Sequence, residues 1–212
     1  MKLDIPAGDF SGYIFDLDGT LVDTMPLHYE AYRRTFAEHG LALAEAAFYA
    51  HIGGVAAEAI PKFLLACGAL TPPAPVAQLH ARKKAHVAEL IASTDIVVLP
   101  AADVLHLLAG RVPVALASSG ARAGVEAILA RLHWSALFDV VITGDETPRG
   151  KPAPDPFLLA ASKLGVAPAD CLVFEDTNDG VAAARAAGMR VFDVRRAAAP
   201  ERGHGPPPVP AA

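Results

Sequence analysis

The chain has 212 residues, 53% of them apolar and 19% charged, with a formal net charge of −5; that is length enough for one sizeable core and an insertion. The acidic balance argues against a nucleic-acid-binding surface, which needs a basic patch, and no apolar run approaches the length that spans a bilayer. Cys67 and Cys171 are too few for a disulfide framework and Met1 is followed by no secretory apolar stretch, so a reducing cytoplasm is the expected setting.

The first apolar run, 13–15, leads straight into Asp16-Leu17-Asp18-Gly19-Thr20-Leu21-Val22-Asp23. A strand does not continue easily through Asp-Gly, so this pair of carboxylates should stand where a buried strand ends and a loop opens. At such a place one carboxylate can attack as a nucleophile and the other can move a proton, and both lie close enough to share a divalent ion. From 24 to 90 no strand is expected. Four helices are: 26–38, with Pro26 in its first turn; 44–49; 55–67, which Pro61 should break in two; and 75–91. Arg82-Lys83-Lys84 in the last of these reads as a solvated helix face.

Further strands are expected at 112–117, 140–143, 171–174 and 190–194. Several are continuously apolar, as in strands buried on both faces of a parallel sheet. Between them lie helical patterns. Residues 121–132 place Val125, Ile128, Leu129 and Leu132 on one face, 154–164 closes before Gly165, and 179–187 carries Asp179 as N-cap with Gly188 after its end. This alternation implies an α/β fold, a doubly wound (Rossmann-like) parallel sheet with an inserted all-helical cap. Residues 1–23 and 91–196 would form the catalytic core, 24–90 the cap, and 197–212, rich in Pro, Ala and Gly, a disordered tail.

Four polar signals fall just beyond four of these strands: Asp16 with Asp18, Ser118-Ser119-Gly120, Gly150-Lys151-Pro152, and Glu175-Asp176. Parallel strands end along one edge, so the four converge in space. The carboxylates are hard oxygen donors that suit Mg²⁺. Ser118 offers a hydroxyl, and the backbone N–H groups of Ser119 and Gly120 can face an anion. Lys151 offers a compact positive charge to a phosphate oxygen. Metal and lysine together would offset the repulsion between a phosphate and a carboxylate nucleophile.

In this order, and with Ala153-Pro154-Asp155-Pro156-Phe157 after Lys151 and Thr177-Asn178-Asp179-Gly180 after Asp176, the motifs resemble the haloacid dehalogenase superfamily of phosphohydrolases over residues 10–194, in the branch with a helical cap. The resemblance implies that Asp16 is the nucleophile of an aspartyl-phosphate and that Asp18 is the general acid and then the base, its backbone carbonyl on the metal. It implies that Ser118, Ser119 and Lys151 hold the phosphoryl group. Asp16 and Asp176 would ligate Mg²⁺, with Glu175 a further ligand or a support for one.

His28, ten residues after Asp18, matches a histidine of β-phosphoglucomutase-like and fructose-1-phosphatase-like members that contacts the acid/base Asp or the substrate. The loop 51–58, with His51, Gly53 and Gly54, corresponds to the family's specificity loop, where paired glycines permit close backbone approach. Mutases carry a Gly-Val-Ser-Arg run there, whose Arg grips a second phosphate. This chain has Gly54-Val55-Ala56-Ala57 instead, which favours a simple phosphatase. The expectation is a monomeric, Mg²⁺-dependent phosphatase acting on a small phosphorylated metabolite, by resemblance a sugar phosphate. A β-phosphoglucomutase-type mutase is the alternative.

Overall fold

A computed structural model describes residues 8–51 and 56–195. Its elements in chain order are β1 (Gly12–Phe15), β2 (Val22–Asp23), α1 (Met25–Ala37), α2 (Glu45–His51), α3 (Ala56–Ala66), α4 (Val76–Ser93), β3 (Val97–Val98), α5 (Ala101–Leu108), β4 (Val114–Ala117), α6 (Arg122–Arg131), β5 (Val140–Ile142), α7 (Asp155–Leu164), β6 (Cys171–Glu175), α8 (Asn178–Ala186) and β7 (Arg190–Asp193). The C-terminal segment 197–212 lies outside the described residues. Among the described residues no helix is long and apolar enough to cross a membrane.

Five strands form one parallel sheet in the order β5-β4-β1-β6-β7. The chain steps from β1 through β4 to β5, then returns to β6 on the other side of β1. The C-terminal end of β1 is therefore flanked by those of β4 and β6, the usual place for a site in such a sheet. Every residue of β4 and β6 is buried, which is why 114–117 and 171–174 read as unbroken apolar runs.

Period-two alternation sends neighbouring residues into two cores. Phe15, Leu116 and Phe174 pack on one face with α5 and α6, and with Leu27, Ala31, Leu90 and Ile91 from the roots of α1 and α4. Ile14, Ala115 and Val173 pack on the other against α7 and α8. A third cluster, Tyr32, Phe36, Phe48, Ile60, Phe63 and Leu79, lies among α1 to α4. The chain passes between sheet and helices through a small antiparallel ribbon, with Val22 opposite Val98 and Asp23 opposite Val97.

Three features depart from the sequence expectations. Pro61 does not break its helix: α3 is continuous across it. The proline is exposed, so it sacrifices one backbone hydrogen bond on the solvent side while Ile60, Phe63 and Leu64 hold the helix to the aromatic cluster. Asp179 is not the N-cap of α8; Thr177 is, its hydroxyl accepting from the Gly180 N–H at 3.0 Å. The pattern also passed over β2, β3 and α5. The first two are two-residue strands too short to show a period, and α5 is a two-turn helix.

Phe174 is fully buried, stacked on Phe15 at 4.5 Å and tilted against Phe192 at 5.3 Å. Phe174→Ala should cost about 3–5 kcal/mol, the usual range for a large aromatic removed from a core. Guanidinium denaturation of both proteins measures it, and a loss below about 1 kcal/mol would mean that the sheet collapses onto the gap.

Candidate active site

The DxD loop is folded by its own backbone. Leu17 C=O accepts from the Leu21 and Val22 N–H groups, and the Gly19 N–H donates to Val22 C=O at 2.7 Å. Gly19 has φ +90°, and a Cβ there would fall on the Asp176 carboxylate. Only glycine lets this turn lie against the end of β6.

Asp16 leaves the end of β1 nearly buried, 6% exposed. The Lys151 ammonium, carried on the loop after β5, donates to Asp16 Oδ1 at 2.6 Å and to Glu175 Oε2 at 2.7 Å. It also lies 4.9 Å over the Phe157 ring. Burial by itself would lower the lysine's pKa, but the two carboxylates more than reverse that and hold it above its ordinary value.

Glu175 is completely buried. Its second oxygen accepts from the Asp176 N–H, the Thr177 N–H and the Thr177 hydroxyl at 3.1, 2.9 and 2.8 Å. Burial would push its pKa up, but Lys151 and the Thr177 donors pull it below the usual range. Gly180 packs so closely on this carboxylate that a Cβ would overlap it. With four donors already on its oxygens, Glu175 is better placed to hold Lys151 than to hold a metal.

Asp18, two residues on, stands in a different environment. Its Oδ1 accepts a hydrogen bond from the Thr24 hydroxyl and lies 4.0 Å from His28 Nε2. His28 in turn meets Lys83 through Nδ1 at 2.8 Å. The pKa of His28 is lowered to about 4, first by burial and then by the Lys83 charge, against the pull of Asp18. Lys83 is lowered to about 8, by burial above all, and lies 4.9 Å over the Tyr32 ring. The expectation of a solvated Arg82-Lys83-Lys84 face therefore fails at Lys83, which is 7% exposed. The signal for it was present: Leu79, Lys83, His86 and Leu90 share one helical face and are all buried.

Asp16, Glu175 and Asp176 each offer a carboxylate oxygen within 4.8 Å of one another. Burial raises the pKa of Asp16 well above its ordinary value; Lys151 opposes this, while Glu175, Asp176 and Asp18 add to it. Asp176 is raised to about 6, by burial and then by Glu175. Three clustered carboxylates, two of them on Lys151, leave uncompensated negative charge, and the donors are hard oxygens at the ends of rigid strands. That set fits a divalent cation, with Asp16 and Asp176 the available side chains.

Ser118, 2% exposed, does not cap α6. Its hydroxyl accepts from the Gly120 N–H at 3.0 Å, and a Cβ on Gly120 would stand 4.0 Å from Asp18 Oδ2, so this loop faces the DxD turn. The structure thus brings Asp16, Asp18, Ser118, Lys151, Glu175 and Asp176 to one edge, with His28 reaching Asp18 from α1. Ser119 has an exposed side chain, and His51, at the end of α2, is exposed. Gly53 and Gly54 lie outside the described residues. Thr24 carries no expectation from the sequence, and Lys83 carries only that of a solvated helix face; nothing local marks Thr24, whose partner is set by the turn.

Residues 10–188 match the family model for haloacid dehalogenase-like hydrolases. The fructose-1-phosphate phosphatase YqaB of Escherichia coli is 37% identical over 88% of this chain and 97% of its own length. A phosphorylated carbohydrates phosphatase of Thermotoga maritima is 34% identical over 85% and 83%. Among solved structures, CbbY from Rhodobacter sphaeroides in complex with phosphate superposes with a TM-score of 0.77 at 30% identity, covering 86% of this chain and 84% of that one. A family match that begins before β1 and runs past α8, together with relatives aligned over most of their length, makes this chain a member of the haloacid dehalogenase-like hydrolases.

Proposed function

We propose that this protein is a Mg²⁺-dependent phosphatase that hydrolyses a small phosphorylated metabolite, a sugar phosphate, through an aspartyl-phosphate on Asp16. The observation that carries the reading is the unequal treatment of two carboxylates two residues apart. Asp16 is buried and tied to Lys151, whereas Asp18 faces Thr24 and His28. Distinct environments are how neighbouring acids take distinct roles. The names of the relatives, which act on fructose 1-phosphate and on phosphorylated carbohydrates, support the substrate class.

In this mechanism a carboxylate oxygen of Asp16 attacks phosphorus in line, and the bond to the leaving oxygen breaks. Asp18 gives its proton to that oxygen, then takes one from the water that attacks the aspartyl-phosphate. Cleavage of the bond between phosphorus and Asp16 releases inorganic phosphate and restores the carboxylate. Lys151, with Ser118 and Ser119, holds the phosphoryl oxygens in the proposed arrangement, and Glu175 holds Lys151. Asp16, Asp176 and the Asp18 carbonyl would bind Mg²⁺, which supplies positive charge for the equatorial oxygens. Residues 24–90 act as a cap on a core of 1–23 and 91–196, and their separate aromatic cluster supports that division. Ala57, where a mutase carries its Arg, favours hydrolysis over a second phosphate transfer.

Asp16→Asn should lower turnover of p-nitrophenyl phosphate by at least about 10³-fold, and normal turnover in that variant would sink the mechanism. Wild-type activity should disappear in EDTA and return on adding excess Mg²⁺; activity that persists without any divalent ion would remove the metal from the reading. The link from α4 to Asp18 has its own test. Lys83→Met removes one of the two forces that hold His28 near pKa 4 and leaves burial in place. The His28 imidazole should then titrate higher, between about 4 and its ordinary 6.5, in an NMR pH titration; an unmoved titration would show that the Lys83 charge does not act on it.

A further inference from the structure

Three consecutive residues after β5 grip the loop that follows β4. The Gly144 N–H donates to Gly120 C=O at 2.9 Å. Asp145 Oδ2 accepts from the Arg122 N–H at 2.8 Å. Glu146 Oε2 accepts from the Arg122 guanidinium and, at 2.9 Å, from the Thr143 N–H, while its Oε1 takes Lys163 at 3.0 Å. Arg122 opens α6, and the N-cap of that helix, Ala121, has no polar side chain to satisfy it. Asp145 therefore satisfies the helix start from the neighbouring loop.

The approach is also sterically close. A Cβ on Gly144 would stand 2.5 Å from the Ser119 carbonyl oxygen, a backbone atom that cannot swing aside. The β4–β5 ladder ends with Ala117 opposite Ile142, followed by one bond from the Ser118 N–H to Ile142 C=O. Beyond that point the two loops are joined by Gly144, Asp145 and Glu146. One loop carries Ser118 and Ser119, and the other runs on to Lys151.

We propose that Gly144, Asp145 and Glu146 form a positioning clasp that sets the Ser118–Ser119 loop against Lys151 and so sets the strength of the phosphate grip. The proposal rests on the phosphatase reading. None of the three touches the reacting atoms; they act through Ser118, Ser119 and Lys151. Asp16 and Asp176 directly follow the ends of β1 and β6, outside the clasped loops, so the clasp should govern the anion and leave the metal alone.

The test uses the full chain as wild type, Gly144→Ala and Glu146→Gln. Inhibition by inorganic phosphate and by orthovanadate reports the grip, calorimetric titration with Mg²⁺ alone reports the metal ligands, and thermal unfolding confirms folding. Gly144→Ala should weaken both anions about ten-fold, the scale of one misplaced charge-assisted hydrogen bond, with Mg²⁺ affinity unchanged. Glu146→Gln, which keeps the shape and removes the charge, should shift the anions in the same direction; it carries the test if Gly144→Ala does not fold. Folded variants that bind both anions as wild type does overturn the clasp, as does an equal loss of anion and Mg²⁺ affinity. A wild type that neither turns over an aryl phosphate nor responds to phosphate overturns the phosphatase reading, and the clasp falls with it.

Discussion

The Lys151 ammonium, enclosed between the carboxylates of Asp16 and Glu175, is the interaction on which the rest of the arrangement depends. Its side chain is 6% exposed and those of its partners 9% and 1%. Three charges removed from water are tolerable only if each is met by a partner and by further hydrogen bonds. Glu175 is saturated by Lys151 and by donors from residues 176 and 177. Gly180 makes way for it, and Phe157 lies under the ammonium. Contributions from β1, β6 and the loop after β5 must arrive together, which the strand order β5-β4-β1-β6-β7 achieves.

The same burial sets Asp16 apart from Asp18. Asp16 sits where desolvation and three other carboxylates raise its pKa, opposed by Lys151. A site of this kind invites a cation, because a hard divalent ion neutralises charge that the protein leaves unmatched. Asp18 points away from that crowd, toward a hydroxyl and an imidazole. Two acids separated by one residue thus meet opposite surroundings through the tight turn at Gly19, whose missing side chain leaves room for Asp176.

The helices contribute through a line of contacts from α4 through α1 to the DxD loop. Lys83 holds one face of His28, and His28 presents its other nitrogen toward Asp18. Because α1 and α4 lend Leu27, Ala31, Leu90 and Ile91 to the sheet's core, and Tyr32, Phe36 and Leu79 to the helical one, the two layers share side chains at their junction. A change in how the helices sit would reach Asp18 through His28.

Much of this was legible in the order of residues. Apolar runs marked the five parallel strands, several of them continuous, since strands covered on both faces need no polar side. The polar motifs after them had to converge, since parallel strands end on one edge. What the sequence by itself determined was therefore the fold class, the acidic pair, Ser118, Lys151 and Glu175-Asp176. Tertiary structure alone decided which oxygen each group meets. It set Glu175 on Lys151, drew Lys83 out of a basic triplet and into the interior, seated Thr24 on Asp18, and joined two loops through Gly144. Strand periodicity is a local consequence of burial and survives in the sequence, whereas a hydrogen-bond partner 135 residues away, as Asp16 is from Lys151, exists only once packing has excluded the water that would otherwise take its place.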